Sequence, residues 1–119
     1  MRSDYSTATT RYDQALTLYR ELGDRLGTAQ TINGQADTAR MRGDYSTATT
    51  RYDQALTLYR ELGHRLGTAN VFLGRARMAA KQGRNDVATT AYVEAGAIYR
   101  EHGLTYWADL CEGAVRELE

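Results

Sequence analysis

The sequence predicts an all-α fold, a solenoid of antiparallel helix pairs, and three observations lead to this prediction. A block of residues recurs forty positions further along the chain. Within the block, apolar residues recur at spacings of three and four, which is the periodicity of one helix face. The chain of 119 residues contains no proline, the residue that breaks helix interiors most strongly. We therefore expect continuous helices separated by short joints.

The recurring block is an internal duplication of almost complete identity. Residues 4–23 read DYSTATTRYDQALTLYRELG, and residues 44–63 read the same. The identity resumes over residues 25–29 and 65–69, and a weaker third copy, VATTAYVEAGAIYREHG, spans residues 87–103. A period of this length is typical of repeat architectures, in which each unit buries its apolar face against the next unit.

Each copy of the block predicts one helix. In the second copy, the apolar face consists of Tyr45, Ala48, Tyr52, Ala55, Tyr59 and Leu62. Asp44 precedes this face as a candidate N-cap, and Gly63 follows it as a candidate left-handed C-terminal cap. We therefore predict helices over about 4–22 and 44–62, with a helix of similar length over about 24–42 between them.

This pattern resembles the tetratricopeptide repeat, in a variety of about forty residues. The family signature places a large apolar and a small residue on a first helix, called A. An alanine–aromatic pair and a later alanine follow on a second helix, called B. The matching residues are Ile32, Ala36, Ala48, Tyr52 and Ala55 in one copy, Phe72, Ala76, Ala88, Tyr92 and Ala95 in the next, and Ala8, Tyr12 and Ala15 at the N-terminus.

The chain departs from the signature on its A helices. Gln35 and Arg75 occupy the usual leucine position, and Ala39 and Ala79 occupy the usual aromatic position. The resemblance still covers nearly the whole chain, and it implies a right-handed α-solenoid. The joint at residues 21–25 (ELGDR) is also similar to joints in the sensor arrays of large bacterial signalling ATPases of the STAND type and related transcription regulators.

The frame of the repeat implies six helices in the order B-A-B-A-B-A within one domain over residues 1–119. Half repeats flank two complete repeats, and the four units cover about 1–23, 24–63, 64–103 and 104–119. In the last unit, Trp107, Leu110 and Cys111 match the A-helix signature only if the period shortens to thirty-five residues. We therefore expect a short final joint and a last helix over about 105–118.

The residues expected to form the structural core are those that close the seam between neighbouring helices. They are Tyr12, Ala15, Ile32, Ala36, Ala48, Tyr52, Ala55, Phe72, Ala76, Tyr92, Trp107 and Leu110.

The resemblance implies that the A helices line a concave face that binds a protein or peptide. The internal copies diverge there: residues 30–41 and 70–81 share three small residues, whereas residues 1–29 and 41–69 differ at two positions. The expected peptide-binding residues are Gln30, Asn33, Asp37, Arg40, Met41, Asn70, Leu73, Arg77, Ala80 and Lys81. The alternative is that the duplicated segment ended near residue 29 and that older divergence shows beyond it.

Self-association is a second functional hypothesis. The first helix carries Tyr5, Tyr12 and Tyr19, a face as apolar as the interior copy, whereas arrays usually end in polar caps. The last helix of one chain would then meet the first helix of another, and such head-to-tail contacts form rings or filaments. The competing interpretation is a piece of a longer array whose ends are exposed.

Composition argues against other classes of function. Fifteen basic residues balance fifteen acidic residues, whereas binding to nucleic acid needs an excess of positive charge. No apolar run reaches the roughly 18 residues of a membrane span. We therefore expect neither a nucleic-acid nor a membrane partner, and the single cysteine favours a reducing cytoplasm.

The sequence also predicts that the protein is not an enzyme. His64 and His102 lie near predicted helix ends without the further ligands that a metal site needs. Cys111 occupies a small-residue packing position, where a thiol is structural. A glycine-rich phosphate loop and a nucleophile elbow are absent from the sequence. We expect no cofactor and no metal.

Overall fold

The computed structural model describes residues 2–119, with side chains described from Tyr5 onwards. The described residues form six α-helices and no strand, which confirms the all-α prediction. The helices are α1 (Arg2–Leu22), α2 (Arg25–Met41), α3 (Tyr45–Glu61), α4 (Arg65–Lys81), α5 (Asn85–Glu101) and α6 (Thr105–Leu118). None of these helices is long and apolar enough to cross a membrane.

The helix ends follow from capping residues in the joints. The carboxylate of Asp44 accepts the backbone N–H of Thr47 at 3.2 Å, which satisfies a free donor at the start of α3. Gly63 follows α3 with φ +65°, a conformation that costs glycine little because it has no Cβ. The Nδ1 atom of His64 then caps α4 by accepting the backbone N–H of Gly67 at 2.9 Å.

Packing divides the chain into two compact units, with the boundary between Gly63 and His64. In the first unit α2 packs against both α1 and α3, and in the second unit α5 packs against both α4 and α6. Because joints of two or three residues reverse the chain, consecutive helices within each unit are antiparallel. Within each unit, each helix packs on its neighbours in sequence, as expected for helical repeats.

The core of the first unit is densest around α3. Tyr52 and Ala55 are completely buried, as is Ala36 of α2. Tyr12 and Ala15 occupy the same positions within an identical sequence in α1, yet they are only half-buried. The same amino acids therefore contribute differently to the core in the two helices.

Helix α1 lies directly on two glycines of α2. A Cβ atom added to Gly27 would lie 2.6 Å from the ring of Tyr19, and one added to Gly34 would lie 2.5 Å from the ring of Tyr12. Such distances are too short for any real side chain. Glycine at these positions therefore allows both aromatic rings to contact the backbone of α2.

The core of the second unit lies on both sides of α5. Its buried members are Ala69, Leu73, Ala76, Ala79, Ala88, Tyr92, Ala95, Ile98, Tyr99, Ala108 and Cys111. Phe72 and Leu110 are partly buried and pack against this cluster.

The prediction of a shortened final joint is wrong. Helix α6 begins at Thr105, forty residues after the start of α4 at Arg65. Gly103 has φ +71° and forms the same turn as Gly63. The glycine turn therefore determines where α6 begins, and the forty-residue period continues to the last helix.

This turn places Trp107 in the first turn of α6 and outside the core. The side chain is 40% exposed, which corrects its assignment as a core residue. Its ring centroid lies 6.1 Å from that of Tyr99 and 5.2 Å from that of Tyr106. Trp107 lies two forty-residue periods after Gly27, so the two residues occupy the same position of the repeat. Gly27 lies under a tyrosine ring, and an indole is too large to fit in such a place.

Candidate functional site

The residues predicted to bind a peptide in the first unit lie along one face of α2. Gln30, Asn33, Asp37 and Arg40 are three or four residues apart, so their side chains leave the same side of the helix. Gln30 and Met41 are exposed, whereas the other three are half-buried. The structure therefore brings these five residues onto one continuous surface.

Asp37 and Arg40 are joined by a tyrosine of the neighbouring helix. The hydroxyl of Tyr52 donates to Asp37 Oδ1 at 2.5 Å and accepts from Arg40 Nε at 2.9 Å. Arg40 and Asp37 also form an ion pair at 3.5 Å. We call these three residues the Tyr52 network, and it holds a carboxylate and a guanidinium in place on the surface of α2.

The electrostatics of the Tyr52 network favour a neutral tyrosine between two charges. Burial raises the pKa of Tyr52, and the carboxylate of Asp37 raises it further. Burial alone would lower the pKa of Arg40, but its hydrogen bond to Tyr52 and the charge of Asp37 outweigh that effect and raise it. Arg40 therefore stays protonated, and the network is stable at neutral pH.

Asn33 lies one helical turn from Asp37 and carries an unused acceptor. Its Oδ1 atom is buried and has no hydrogen-bond partner among the described residues. A buried acceptor left without a donor costs about 1–3 kcal/mol.

The second unit presents a different surface on α4. Asn70 and Lys81 are exposed, and Arg77 and Ala80 are half-buried. The Oδ1 atom of Asn70 accepts a hydrogen bond from the hydroxyl of Tyr99 at 2.6 Å. Charged and polar groups therefore remain accessible at both ends of this helix face.

Leu73 is not part of that surface. Only 6% of it is exposed, and it belongs to the core of the second unit. Its assignment to the binding face is therefore wrong. The apolar side chain is buried between α4 and α5, where it loses contact with water.

Sequence reasoning missed the hydroxyl of Tyr52 as part of the site. The position was assigned to the core from its aromatic ring, and the ring is indeed buried. A signal was present in the sequence, because Asp37 and Arg40 lie three residues apart on the A helix that precedes this tyrosine. In the next copy, Arg77 and Ala80 stand at these positions, so the same network cannot form there.

The second unit also contains a groove between α5 and α6 with a volume of about 420 Å³. Its floor is small and apolar, with Gly96, Ala97 and Val115 among its lining residues. Arg100 crosses one edge, where it donates to Asp109 at 2.9 Å and to Glu112 at 2.5 Å. The groove is therefore apolar at its centre, and its charged edge is internally paired.

Residues 5–119 contain no group of three or more His, Cys, Asp or Glu side chains arranged to hold a metal ion. Cys111 is buried beside α5, where a Cβ atom on Gly96 would lie 3.1 Å from the Cβ of Cys111. Burial raises the pKa of the Cys111 thiol, which disfavours the nucleophilic thiolate.

Comparison with known families gives one match. A model of the tetratricopeptide repeat family matches residues 1–61, which include α1, α2 and α3 and therefore the whole Tyr52 network. No curated protein and no solved structure matches the chain.

Proposed function

Because the chain belongs to the tetratricopeptide repeat family, whose members are in general scaffolds for protein interaction, we propose that it binds a segment of another protein. The proposed binding surface of the first unit is the A-helix face of α2. In the second unit, the accessible part of the corresponding face of α4 is proposed as a binding surface of its own. The observation that carries this proposal is the Tyr52 network, which holds two charged side chains in position before any ligand arrives.

The network supports binding because ordered side chains lose little conformational freedom when a ligand binds. The Asp37 side chain is 37% exposed and that of Arg40 is 17% exposed, so both groups can reach a ligand. The unused acceptor of Asn33 lies on the same face. An extended peptide suits these groups, since its backbone offers N–H and C=O groups in alternation.

In the second unit, the proposed contacts are Asn70, Arg77, Ala80 and Lys81. Because these residues differ from their counterparts in α2, we propose that the face of α4 recognises a different peptide sequence from the face of α2. A role as part of a bacterial signalling sensor, and a cytoplasmic location, remain predictions that the joint sequence and the single cysteine support.

The proposal is tested by replacing residues 30–41 with the sequence of residues 70–81. Peptides are first selected from a display library for binding to the unchanged protein. We expect the replacement to weaken their binding by roughly tenfold or more, because it removes both charged members of the Tyr52 network. Circular dichroism checks that the variant remains helical, and unchanged affinity in a helical variant would contradict the proposal.

A point substitution with an internal control sharpens this test. Arg40→Ala removes the guanidinium from the proposed surface, whereas Arg60→Ala removes an exposed guanidinium from α3. We expect the first substitution to weaken peptide binding and the second to leave it unchanged. Equal losses would indicate general charge attraction instead of a defined site.

A second candidate function is head-to-tail association, and the different burial of α1 and α3 favours it. The two helices have the same sequence, but Tyr12 and Ala15 are half-buried where Tyr52 and Ala55 are completely buried. Leu18 is 53% exposed on α1. We propose that α1 of one copy packs against the α5–α6 groove of another, as an additional B helix.

One ion pair in each unit suggests how this association can be tested. Arg25 pairs with Glu61 in the first unit, and Arg65 pairs with Glu101 at 2.9 Å in the second. Each pair links the start of an A helix to the end of the following B helix. The corresponding residue at the start of α6 is Thr105, so a docked α1 would lack this ion pair.

We therefore expect Thr105→Arg to strengthen association by giving Glu21 of a second copy a partner. Light scattering over a range of protein concentrations measures the mass of the particle. Val93→Asp, which places a charge in the α5–α6 groove, is expected to weaken association. A monomer at every concentration, for the unchanged protein and for Thr105→Arg alike, would rule out this candidate.

A further inference from the structure

We propose that the first unit contains a separate binding site for a small zwitterion of the α-amino acid class. The site is a pocket of about 130 Å³ between α1, α2 and α3. Its lining includes Asp13, Gln35, Arg42, Asp44 and Arg51. Nothing in the proposed peptide-binding function uses these residues.

The pocket and the peptide-binding face lie on different sides of α2. Gln35, Thr38 and Arg42 are three or four residues apart and line the pocket. A helix turns by about 100° per residue, so these positions point away from Asn33 and Arg40. A ligand in the pocket would therefore leave the peptide-binding face unoccupied.

Gln35 positions the carboxylate of Asp13 at the pocket. Its Nε2 atom donates to Asp13 Oδ1 at 3.0 Å, and this bond sets the orientation of the amide because the reverse orientation would place two oxygens together. The Oε1 atom is buried and has no hydrogen-bond partner among the described residues. An ammonium group in the pocket would bind the carboxylate of Asp13, which the hydrogen bond from Gln35 holds in place.

The opposite charge is also present among the residues that line the pocket. Arg42 and Arg51 line the pocket, and the described residues offer neither of them an ion pair. Arg51 donates one hydrogen bond to Gln54 at 3.1 Å. A ligand carboxylate would therefore find guanidinium groups with unused donors, a pairing that is stronger than a hydrogen bond between neutral groups.

The balance of charge and the size of the pocket define the ligand class. Asp13 and Asp44 oppose Arg42 and Arg51, so a ligand with one positive and one negative group matches both pairs. A simple cation or a simple anion would match only one of them. The volume equals the share of about four water molecules in the liquid, at about 30 Å³ each, which suits an amino acid as small as glycine or alanine.

The test uses glycine as the probe, with methylamine and acetate as its separate halves. Each is titrated into the full-length protein while NMR follows the backbone amides of α1, α2 and α3. We expect glycine to bind at least roughly tenfold more tightly than either half, with the largest shifts near Gln35 and Thr47. No binding, or equal binding of all three compounds, would overturn the proposal.

Substitutions at Gln35 separate binding from stability. Gln35→Leu restores the residue usual in the family and removes the buried acceptor that lacks a partner. We expect this variant to lose glycine binding and to melt at a higher temperature. Gln35→Leu with unchanged glycine affinity would also overturn the proposal.

The internal duplication provides matched controls. Arg51→Ala and Asp13→Asn alter the pocket, whereas Arg11→Ala and Asp53→Asn alter the same positions of the identical sequence in the other copy. We expect the first two to weaken glycine binding and the last two to leave it unchanged. Equal losses within either pair would overturn the proposal. Because Arg40→Ala tests only the peptide-binding face, the two proposals can fail independently.

Discussion

Tyr52 combines packing and polarity within one residue. Its ring is completely buried, and its hydroxyl joins a carboxylate and a guanidinium at the surface of α2. Tyr12 lies in an identical stretch of sequence, but its ring is only half-buried and rests on Gly34. The energetic value of the hydroxyl therefore depends on its surroundings, and the two tyrosines allow that difference to be measured.

We expect Tyr52→Phe to lower the free energy of unfolding by about 1–2 kcal/mol, because Asp37 and Arg40 lose the group that bridges them. Tyr12→Phe should change it by less than about 0.5 kcal/mol, as is usual where no buried interaction is removed. Urea denaturation followed by circular dichroism gives both values. Equal effects would show that the Tyr52 network does not stabilise the fold.

The N-cap positions of α2 and α4 offer a second comparison at the scale of single residues. Asp24 accepts the N–H of Gly27 at 2.8 Å, and His64 accepts the N–H of Gly67 at 2.9 Å. The replacement of Asp24 by His64 is one of the two differences between residues 1–29 and 41–69. Both side chains can accept a hydrogen bond, but only aspartate adds the negative charge that a helix N-terminus favours.

We therefore expect His64→Asp to raise the free energy of unfolding by about 0.3–1 kcal/mol. Asp24→His should lower it by a similar amount. Thermal melts at low salt are the suitable measurement, because screening weakens the interaction of the charge with the helix. Two changes of the same sign would refute the charge argument.

At the scale of helices, glycine has a different role at each position. Gly103 determines where α6 begins through its positive φ, whereas Gly27 allows the ring of Tyr19 to contact the α2 backbone. Gly113 lies within α6, where an added Cβ would be no closer than 3.8 Å to its nearest neighbour, Arg116. Only the first two positions require glycine for a structural reason.

Alanine substitutions test this distinction between helical glycines. Gly27→Ala should destabilise the protein by about 1–3 kcal/mol, because the new methyl group overlaps the Tyr19 ring close to its backbone. Gly113→Ala should stabilise it by up to about 1 kcal/mol, since alanine is the better helix former. Denaturant titration of each variant measures the change in the free energy of unfolding. Stabilisation by Gly27→Ala would mean that α1 moves freely on α2.

At the scale of the whole molecule, buried tyrosines make stability sensitive to alkaline pH. Burial, assisted by the charge of Asp37, raises the pKa of Tyr59 from 10.0 to about 12. The pKa of Tyr52 is raised for the same reasons. Since the folded state holds these phenols neutral above their ordinary pKa, their contribution to stability is complete below pH 10. It is lost as the pH rises towards 12 and beyond.

We expect the free energy of unfolding to decline steadily above pH 10. Urea denaturation followed by circular dichroism at a series of pH values measures this decline. Tyr59→Phe should make the decline shallower. A stability that is constant from pH 10 to 12 would contradict the raised pKa values.

The sequence alone was sufficient for the local features of this protein. Helix spacing, the Asp44 cap and the glycine turn at Gly63 all depend on residues a few positions apart, so their physical causes are visible in the printed chain. The forty-residue period also predicted which helices are neighbours within each unit. Gln35 was likewise recognisable in the sequence as a polar residue at an apolar position, although its unused acceptor was not.

Only the tertiary structure decided how much of each side chain is buried and which polar groups meet. Identical residues in α1 and α3 differ in exposure, Leu73 lies in the core, and Trp107 lies at its edge. The Tyr52 network likewise joins side chains from two helices. Burial and hydrogen bonding depend on the atoms that surround a residue in space, and the same stretch of sequence acquires different surroundings at different places in the fold.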